Sequence, residues 1–328
     1  MPKLINRIGV FTSGGDAPGM NACLRAVVRS AHEYSIAVTG ILRGYEGMIE
    51  GEFSDLDARS VSNILQKGGT ILKTARSDRF RTVEGRALAA DNVRKHGIDA
   101  LIGIGGDGTL RGASIFSREH DIPVICCPGT IDNDLFGTDQ TIGFDTAINT
   151  AIDNIDRIRD TADAHDRLFL VEVMGRDAGF IALHCGIGGG AELVLIPETI
   201  QTMDEVKTCI LDTMTLQSRS SIVIVAEGDE LGGATQIADA LKEDDRFAGI
   251  ELRVCILGHT QRGGSPSASD RVLASRLGKA AVDSLVQGHR NVMVGIVNNR
   301  IRLTPSKDVW IHKKSINFDL LKLVELIR

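Results

Sequence analysis

The chain has 328 residues, 43% hydrophobic and 24% charged, with a formal charge of −6; this suits one large α/β domain or two linked ones and argues against a general affinity for nucleic acid or acidic membranes. Aromatic residues are too few (one Trp, two Tyr) for a base-stacking platform, and no apolar run reaches transmembrane length. The six cysteines form no CxxC pair and the start lacks a signal-peptide core, so a cytoplasmic protein with reduced thiols and no zinc ribbon is expected.

Residues Arg7 to Thr12 read as a buried strand, followed by Ser13-Gly14-Gly15-Asp16 and an amphipathic helix from about Met20 to Tyr34. That turn is either an ordinary βα connection or a cradle of backbone N–H groups for phosphate; it is neither a Walker A loop nor a GxGxxG fingerprint. Arg25 and Arg29 share one helix face, solvated or forming an anion site. Ile36 to Leu42 is a second strand, GYEGMIEG a loop, and Ser60 to Lys67 a short helix closed by Gly68-Gly69. From Lys73 to Arg81, four cations fall in nine residues with no apolar helical stripe, as in a loop that is solvated or aimed at phosphates. A helix is expected over Glu84 to His96.

The strand Ala100 to Ile104 runs into GGDGT at 105–109 and a helix from Leu110. Glycines there let backbone approach a phosphate chain, Asp107 can meet Mg²⁺, and Thr109 can bond a phosphate oxygen. The strand Val124 to Cys127 runs into PGTIDND at 128–134. Asp132 and Asp134 lie two apart at a strand's carboxyl end, where open α/β sheets bind ligands. One can take a proton while the other holds a metal or its water; the alternative is an Asx-rich turn.

A long helix is expected from Asp145 to about Thr161, carrying Arg157 and Arg159, with Arg167 shortly after. The strand Leu168 to Val173 leads to Met174-Gly175-Arg176, and Gly188 to Gly190 form a turn before the strand Leu193 to Ile196. A helix follows Pro197, and the strand Ser221 to Ala226 ends at Glu227. The strand Val254 to Leu257 leads to a glycine-rich turn with His259, Gln261 and Arg262. A helix over Ser267 to Gln287, a last strand over Asn291 to Val297 and a basic amphipathic helix close the chain. This second run of βα units predicts a second, similar half.

In order, TSGGDAPGMN (12–21), GGDGT (105–109), PGTIDND (128–134), VEVMGR (171–176) and LGHTQRGGSP (257–266) resemble the bacterial-type ATP-dependent 6-phosphofructokinases of glycolysis, over nearly the whole chain. GGDGT alone is shared with NAD and lipid kinases; the combination is specific. The resemblance implies two similar Rossmann-like three-layer αβα domains with mostly parallel sheets. Residues 1–140 plus 258–303 would bind ATP, and 141–257 plus 304–328 would bind fructose 6-phosphate.

It also implies roles. Asp132 would be the general base for the sugar's 1-hydroxyl, Asp107 would act through Mg²⁺, and Asp134 would support the metal or its waters. Gly14, Arg76, Ser77, Gly106, Asp107, Gly108 and Thr109 would line the ATP site. Thr130, Ile131, Asp132, Met174, Gly175, Arg176, Glu227, His259 and Arg262 would contact the sugar phosphate, with Arg76, Thr130 and Arg176 also serving catalysis. Arg167 and Arg253 would reach the site of a neighbouring subunit in a homotetramer. Pyrophosphate-using relatives resemble GGDD and PKTIDND; this chain has Gly108 and Gly129 there, so ATP is the expected donor. An ADP or phosphoenolpyruvate effector site would draw on Arg25, Arg29, Arg159, Gly190 and Glu192. Gln217-Ser218-Arg219-Ser220 stands where the family shows lysines, and Asp57-Ala58-Arg59 where it often shows Asp-Arg-Tyr, so a weakened or altered effector response is expected.

Overall fold

The computed structural model describes residues 5–163, 167–199, 202–217 and 221–327. The chain divides into two compact units: one takes the chain up to Ile131, Leu135–Thr146 and Arg262–Lys314, the other Asp132–Asp134, Ala147–Gln261 and the chain from Ser315.

The first unit opens with β1 (Arg7–Ser13), α1 (Met20–Glu33), β2 (Ala37–Ile41), α2 (Gly44–Glu50), β3 (Phe53–Leu56), α3 (Val83–Lys95), β4 (Ala100–Gly105), α4 (Asp107–His120) and β5 (Val124–Pro128). α5 (Phe144–Asp163) has its first turn in this unit and the rest in the other. The second unit continues with β6 (Leu168–Val173), α6 (Phe180–Gly188), β7 (Leu193–Leu195), α7 (Met203–Gln217), β8 (Ser221–Ala226), α8 (Ala234–Lys242) and β9 (Leu252–Ile256). The chain then returns to the first through α9 (Ala268–Val286), β10 (Val292–Val297), β11 (Arg300–Pro305) and α10 (Ser306–Ile311), and ends in the second with α11 (Phe318–Ile327).

The first sheet has the order β11-β10-β5-β4-β1-β2-β3. Its five inner strands pair parallel, and β3 and β11 add antiparallel at the edges. Parallel strands are covered on both faces, which is why β1, β4 and β5 are unbroken buried runs rather than alternating ones. α1 and α9 pack so closely that a Cβ on Gly278 would lie 2.6 Å from the Cys23 carbonyl oxygen. The second sheet, β7-β8-β6-β9, is all parallel, over a core that includes Leu168, Leu170, Val223, Val225, Ile237 and Phe247.

Four expectations change. GYEGMIEG is helical (α2), because tertiary packing outweighs its glycines: Tyr45, Met48 and Ile49 are buried in one core cluster with Phe80, Ala89 and Val93. Residues 60–67 form turns, interrupted by Asn63 at φ 55°. The first sheet carries two strands, β3 and β11, that the sequence reading lacks. Residues 304–314, expected with the smaller domain, go with the first unit because β11 pairs along β10 from Val292↔Pro305 to Val297↔Arg300.

One buried cation braces the 73–82 segment. Arg86 is 7% exposed; its Nε and Nη2 donate to both Glu119 oxygens (2.5 and 2.8 Å), and Nη1 reaches the Phe80 and Arg81 carbonyls (3.1 and 2.7 Å). Arg86→Leu strands these acceptors, and we expect a loss of about 2 kcal/mol, below the cost for a fully buried pair because Glu119 meets solvent. Arg86 holds the Glu119 carboxyl below the usual glutamate value. Its contribution is therefore full above the unfolded pKa of about 4.3 and fades as pH falls through the lower folded value. Urea midpoints should separate parent and variant clearly at pH 7 and less in acid; equal midpoints at pH 7 would refute the brace.

Candidate active site

In the first unit, glycine-rich turns follow the carboxyl ends of three neighbouring strands. After β1, Gly14 adopts φ 85° and Gly15 leaves room for Arg262, whose Nη1 would lie 2.5 Å from a Cβ there. Arg262 Nη1 also donates to the Asp16 carbonyl (3.3 Å). After β4, Gly106, Asp107 and Gly108 open α4, so that helix's unsatisfied N–H groups face the turn. A Cβ on Gly105 would lie 2.4 Å from both Ser13 O and Thr109 Oγ1, which fixes that position as glycine. A Cβ on Gly108 would meet nothing within 4 Å.

Thr109 is buried and its donors are spent locally: Oγ1 donates to Ser13 O (3.0 Å) and its N–H to Gly106 O (3.0 Å). It therefore ties the β1 and β4 turns together. Ser77 is engaged in the same way, donating to Glu46 Oε2 (2.5 Å) and accepting from Phe80 N–H (3.2 Å). Arg76 is exposed, and no ion pair joins it to another described residue. After β5, Gly129 N–H bonds Gly105 O (3.0 Å), the Thr130 carbonyl accepts from Thr141 Oγ1 (2.6 Å), and Thr130 and Ile131 are buried.

Asp132–Asp134 belong to the second unit. Asp132 is 2% exposed, with its Oδ2 3.8 Å from Arg176 Nη2, and Asn133 is held at φ 53°. Arg176 itself sits at φ 55° in the turn after β6. Such backbone in two non-glycine residues persists only where the surroundings enforce it, and it gathers at functional sites. Here the Arg176 N–H donates to Glu227 Oε1 (2.8 Å), and a Cβ on Gly228 would sit 2.0 Å from Arg176 O. Beside it, Gly175 is at φ 145° and Met174 N–H donates to the buried Gln261 (3.3 Å). Gln261 is a support the sequence reading did not single out. His259 is exposed in the 3-10 turn after β9.

The structure separates Arg167 and Arg253 from that group. Both pair with Glu251, Arg167 through Nε at 2.8 Å, at the amino ends of β6 and β9. Met174–Arg176 and Glu227 lie past the carboxyl ends of β6 and β8. Six strand residues span roughly 20 Å, so one chain cannot bring Arg167 and Arg253 to its own Asp132.

Of the effector candidates, Arg25 and Arg29 lie on α1 in the first unit. Arg159 and Glu192 lie in the second, where Arg159 Nη1 pairs with buried Glu192 (3.4 Å) and Nη2 caps the Gly189 and Gly190 carbonyls (2.8 and 2.5 Å). Glu192 also accepts from Ile222 N–H (2.6 Å). Asp57 closes a local turn on Arg59 and Ser60, while residues 218–220 and the Gln217 side chain lie outside the described residues. Among the described residues no group of three or more His, Cys, Asp or Glu could hold a metal by itself.

A family model described as phosphofructokinase matches residues 7–285. The chain belongs to the phosphofructokinase family. An ATP-dependent 6-phosphofructokinase of Cytophaga hutchinsonii is 54% identical over 98% of this chain and 97% of its own length. ATP-dependent 6-phosphofructokinase 1 of Thermus thermophilus is 55% identical over 98% of this chain and 99% of its own. Among solved structures, phosphofructokinase from Pichia pastoris superposes with a TM-score of 0.88 at 36% identity, covering 94% of this chain and 36% of that one. A pyrophosphate-dependent phosphofructokinase from Marinobacter aquaeolei shares the fold (TM-score 0.86) at 23% identity, over 96% of this chain and 86% of that one.

Proposed function

We propose that this chain transfers the γ-phosphoryl group of ATP to the 1-hydroxyl of fructose 6-phosphate, giving fructose 1,6-bisphosphate and ADP. The observation that carries the reading is a buried carboxylate, Asp132, beside Arg176, in a chain whose relatives over nearly full length are ATP-dependent 6-phosphofructokinases.

The chemistry asks for positioning and charge neutralisation more than for covalent steps. In the first unit, Gly14, the N–H groups of the 106–108 turn and Arg76 hold the nucleotide's phosphates, while Ser77 and Thr109 keep the loops in shape. Asp107 opens α4 with no ion pair to another described residue, and one carboxylate plus phosphate oxygens and water is a donor set that suits Mg²⁺. Mg²⁺ held there would neutralise charge developing on the transferring group. In the second unit, Asp132 takes the proton of the 1-hydroxyl, Arg176 draws the phosphoryl group and sugar toward it, and Met174, Gly175, Glu227 and His259 seat the sugar. Thr130, Ile131 and Arg262 are assigned to sugar binding on the likeness of PGTIDND and LGHTQRGGSP to the family's motifs.

The open space at Gly108 supports ATP as donor, since a side chain there would occupy volume the α-phosphate can use. The strand-end placement of Arg167 and Arg253 supports a site completed by a second copy, and so at least a dimer, as in the homotetramer that the family resemblance implies. The intramolecular bonds of Arg159 support an altered response to ADP or phosphoenolpyruvate. Six free thiols support a cytoplasmic setting, and no helix among the described residues is long and apolar enough to cross a membrane. The reaction is tested by an aldolase-coupled assay with Mg²⁺, ATP and fructose 6-phosphate. Fructose 1,6-bisphosphate is the expected product, and its absence would overturn the reading.

A further inference from the structure

The 73–81 segment concentrates Lys73, Arg76, Arg79 and Arg81, and like charges so close repel one another unless anions intervene. Helix α2 supplies those anions. Glu46, with a side chain 19% exposed, pairs through Oε1 with Arg79 Nη1 (2.9 Å) and accepts the Ser77 hydroxyl through Oε2 (2.5 Å). Glu50, one turn on, also pairs with Arg79. The neighbour of Glu46, Tyr45, stacks on Phe80 at 3.9 Å between ring centroids and donates its hydroxyl to the Thr109 carbonyl (2.5 Å). One short helix thus grips the basic loop with Glu46 and the GGDGT turn with Tyr45. Arg79 is neutralised within the first unit and Arg81 pairs with Asp78 (3.7 Å), which leaves Arg76, with Lys73, as the loop's cations for a ligand.

We propose that Glu46 is a positioning residue for ATP: it sets the Arg76 loop through Ser77 and Arg79 without touching the nucleotide. The inference rests on the ATP site assigned above. Charge-assisted bonds of this kind hold a flexible loop in one geometry, and that saving in ordering is realised when the phosphates bind.

Two readouts test it, one of which needs no substrate. In Glu46→Ala, hydrogen exchange of the amides at 76–80 in the free protein should quicken. The KM for ATP should rise about tenfold, with the KM for fructose 6-phosphate and the melting temperature nearly unchanged. Glu46→Gln, which keeps an acceptor for Ser77 but no charge for Arg79, should fall between. Glu50→Gln, which leaves both Glu46 contacts in place, should change the KM for ATP less than twofold. In a Ser77→Ala background the effect of Glu46→Ala should shrink, because part of its route is already cut. Unchanged exchange would overturn the clamp whatever reaction the chain performs. Faster exchange with an unchanged KM for ATP, or with both KM values raised alike, would overturn the positioning role. A parent protein inactive with ATP would instead mark failure of the ATP assignment, which the exchange result makes distinguishable.

Discussion

Asp132→Asn should fold as the parent does and turn over roughly 10²–10⁴-fold more slowly at saturating ATP and fructose 6-phosphate. Asparagine has nearly the same shape and fits a position 2% exposed, but it cannot take the proton of the 1-hydroxyl. The neighbouring Arg176 has a side chain 58% exposed, so losing the carboxylate leaves no buried uncompensated cation and stability should change little. The checks are kcat and the melting temperature measured together. A kcat within tenfold of the parent in a normally folded variant would remove Asp132 as the base.

Arg253→Ala should raise the KM for fructose 6-phosphate by roughly 30-fold or more, because a phosphate loses a charged partner. The chain itself should hold its stability, since Glu251 keeps Arg167 and the Arg253 side chain is 52% exposed. The sharper result comes from mixing. If Arg253 serves a neighbour's site, hybrids of Arg253→Ala and Asp132→Asn subunits regain sites that are parental in both residues. Activity of the co-expressed mixture should therefore exceed that of either variant alone. A mixture no more active than the sum of its parts would assign Arg253 to its own chain's chemistry or to none.

The parallel core and the glycine turns were legible because their causes are local. Buried parallel strands read as unbroken apolar runs, and the residues that end them must be glycines or short polar residues. α2 was hidden by Gly44 and Gly47, since what makes it helical is the burial of Tyr45, Met48 and Ile49 against Phe80, Ala89 and Val93, which no local pattern records. β11 did leave a signal: Asn298-Asn299, both at positive φ, form a two-residue hairpin turn back from β10, and an Asn-Asn pair between apolar runs suits that turn. The motifs marked candidate residues but not their commitments. Whether the Thr109 and Ser77 hydroxyls face a ligand or a neighbour depends on Ser13 and Glu46, which are 96 and 31 residues away in sequence. The distance of Arg167 and Arg253 from Asp132 likewise follows from sheet geometry rather than from spacing.

The central claim is the identity of donor and acceptor together, and it is tested most directly by comparing kcat/KM for ATP and for pyrophosphate at saturating fructose 6-phosphate and Mg²⁺. The account predicts turnover with ATP and little or none with pyrophosphate, because Gly108 leaves room for the nucleotide's α-phosphate and Gly129 stands where a lysine would compensate inorganic phosphate charge. A kcat/KM higher with pyrophosphate would contradict it.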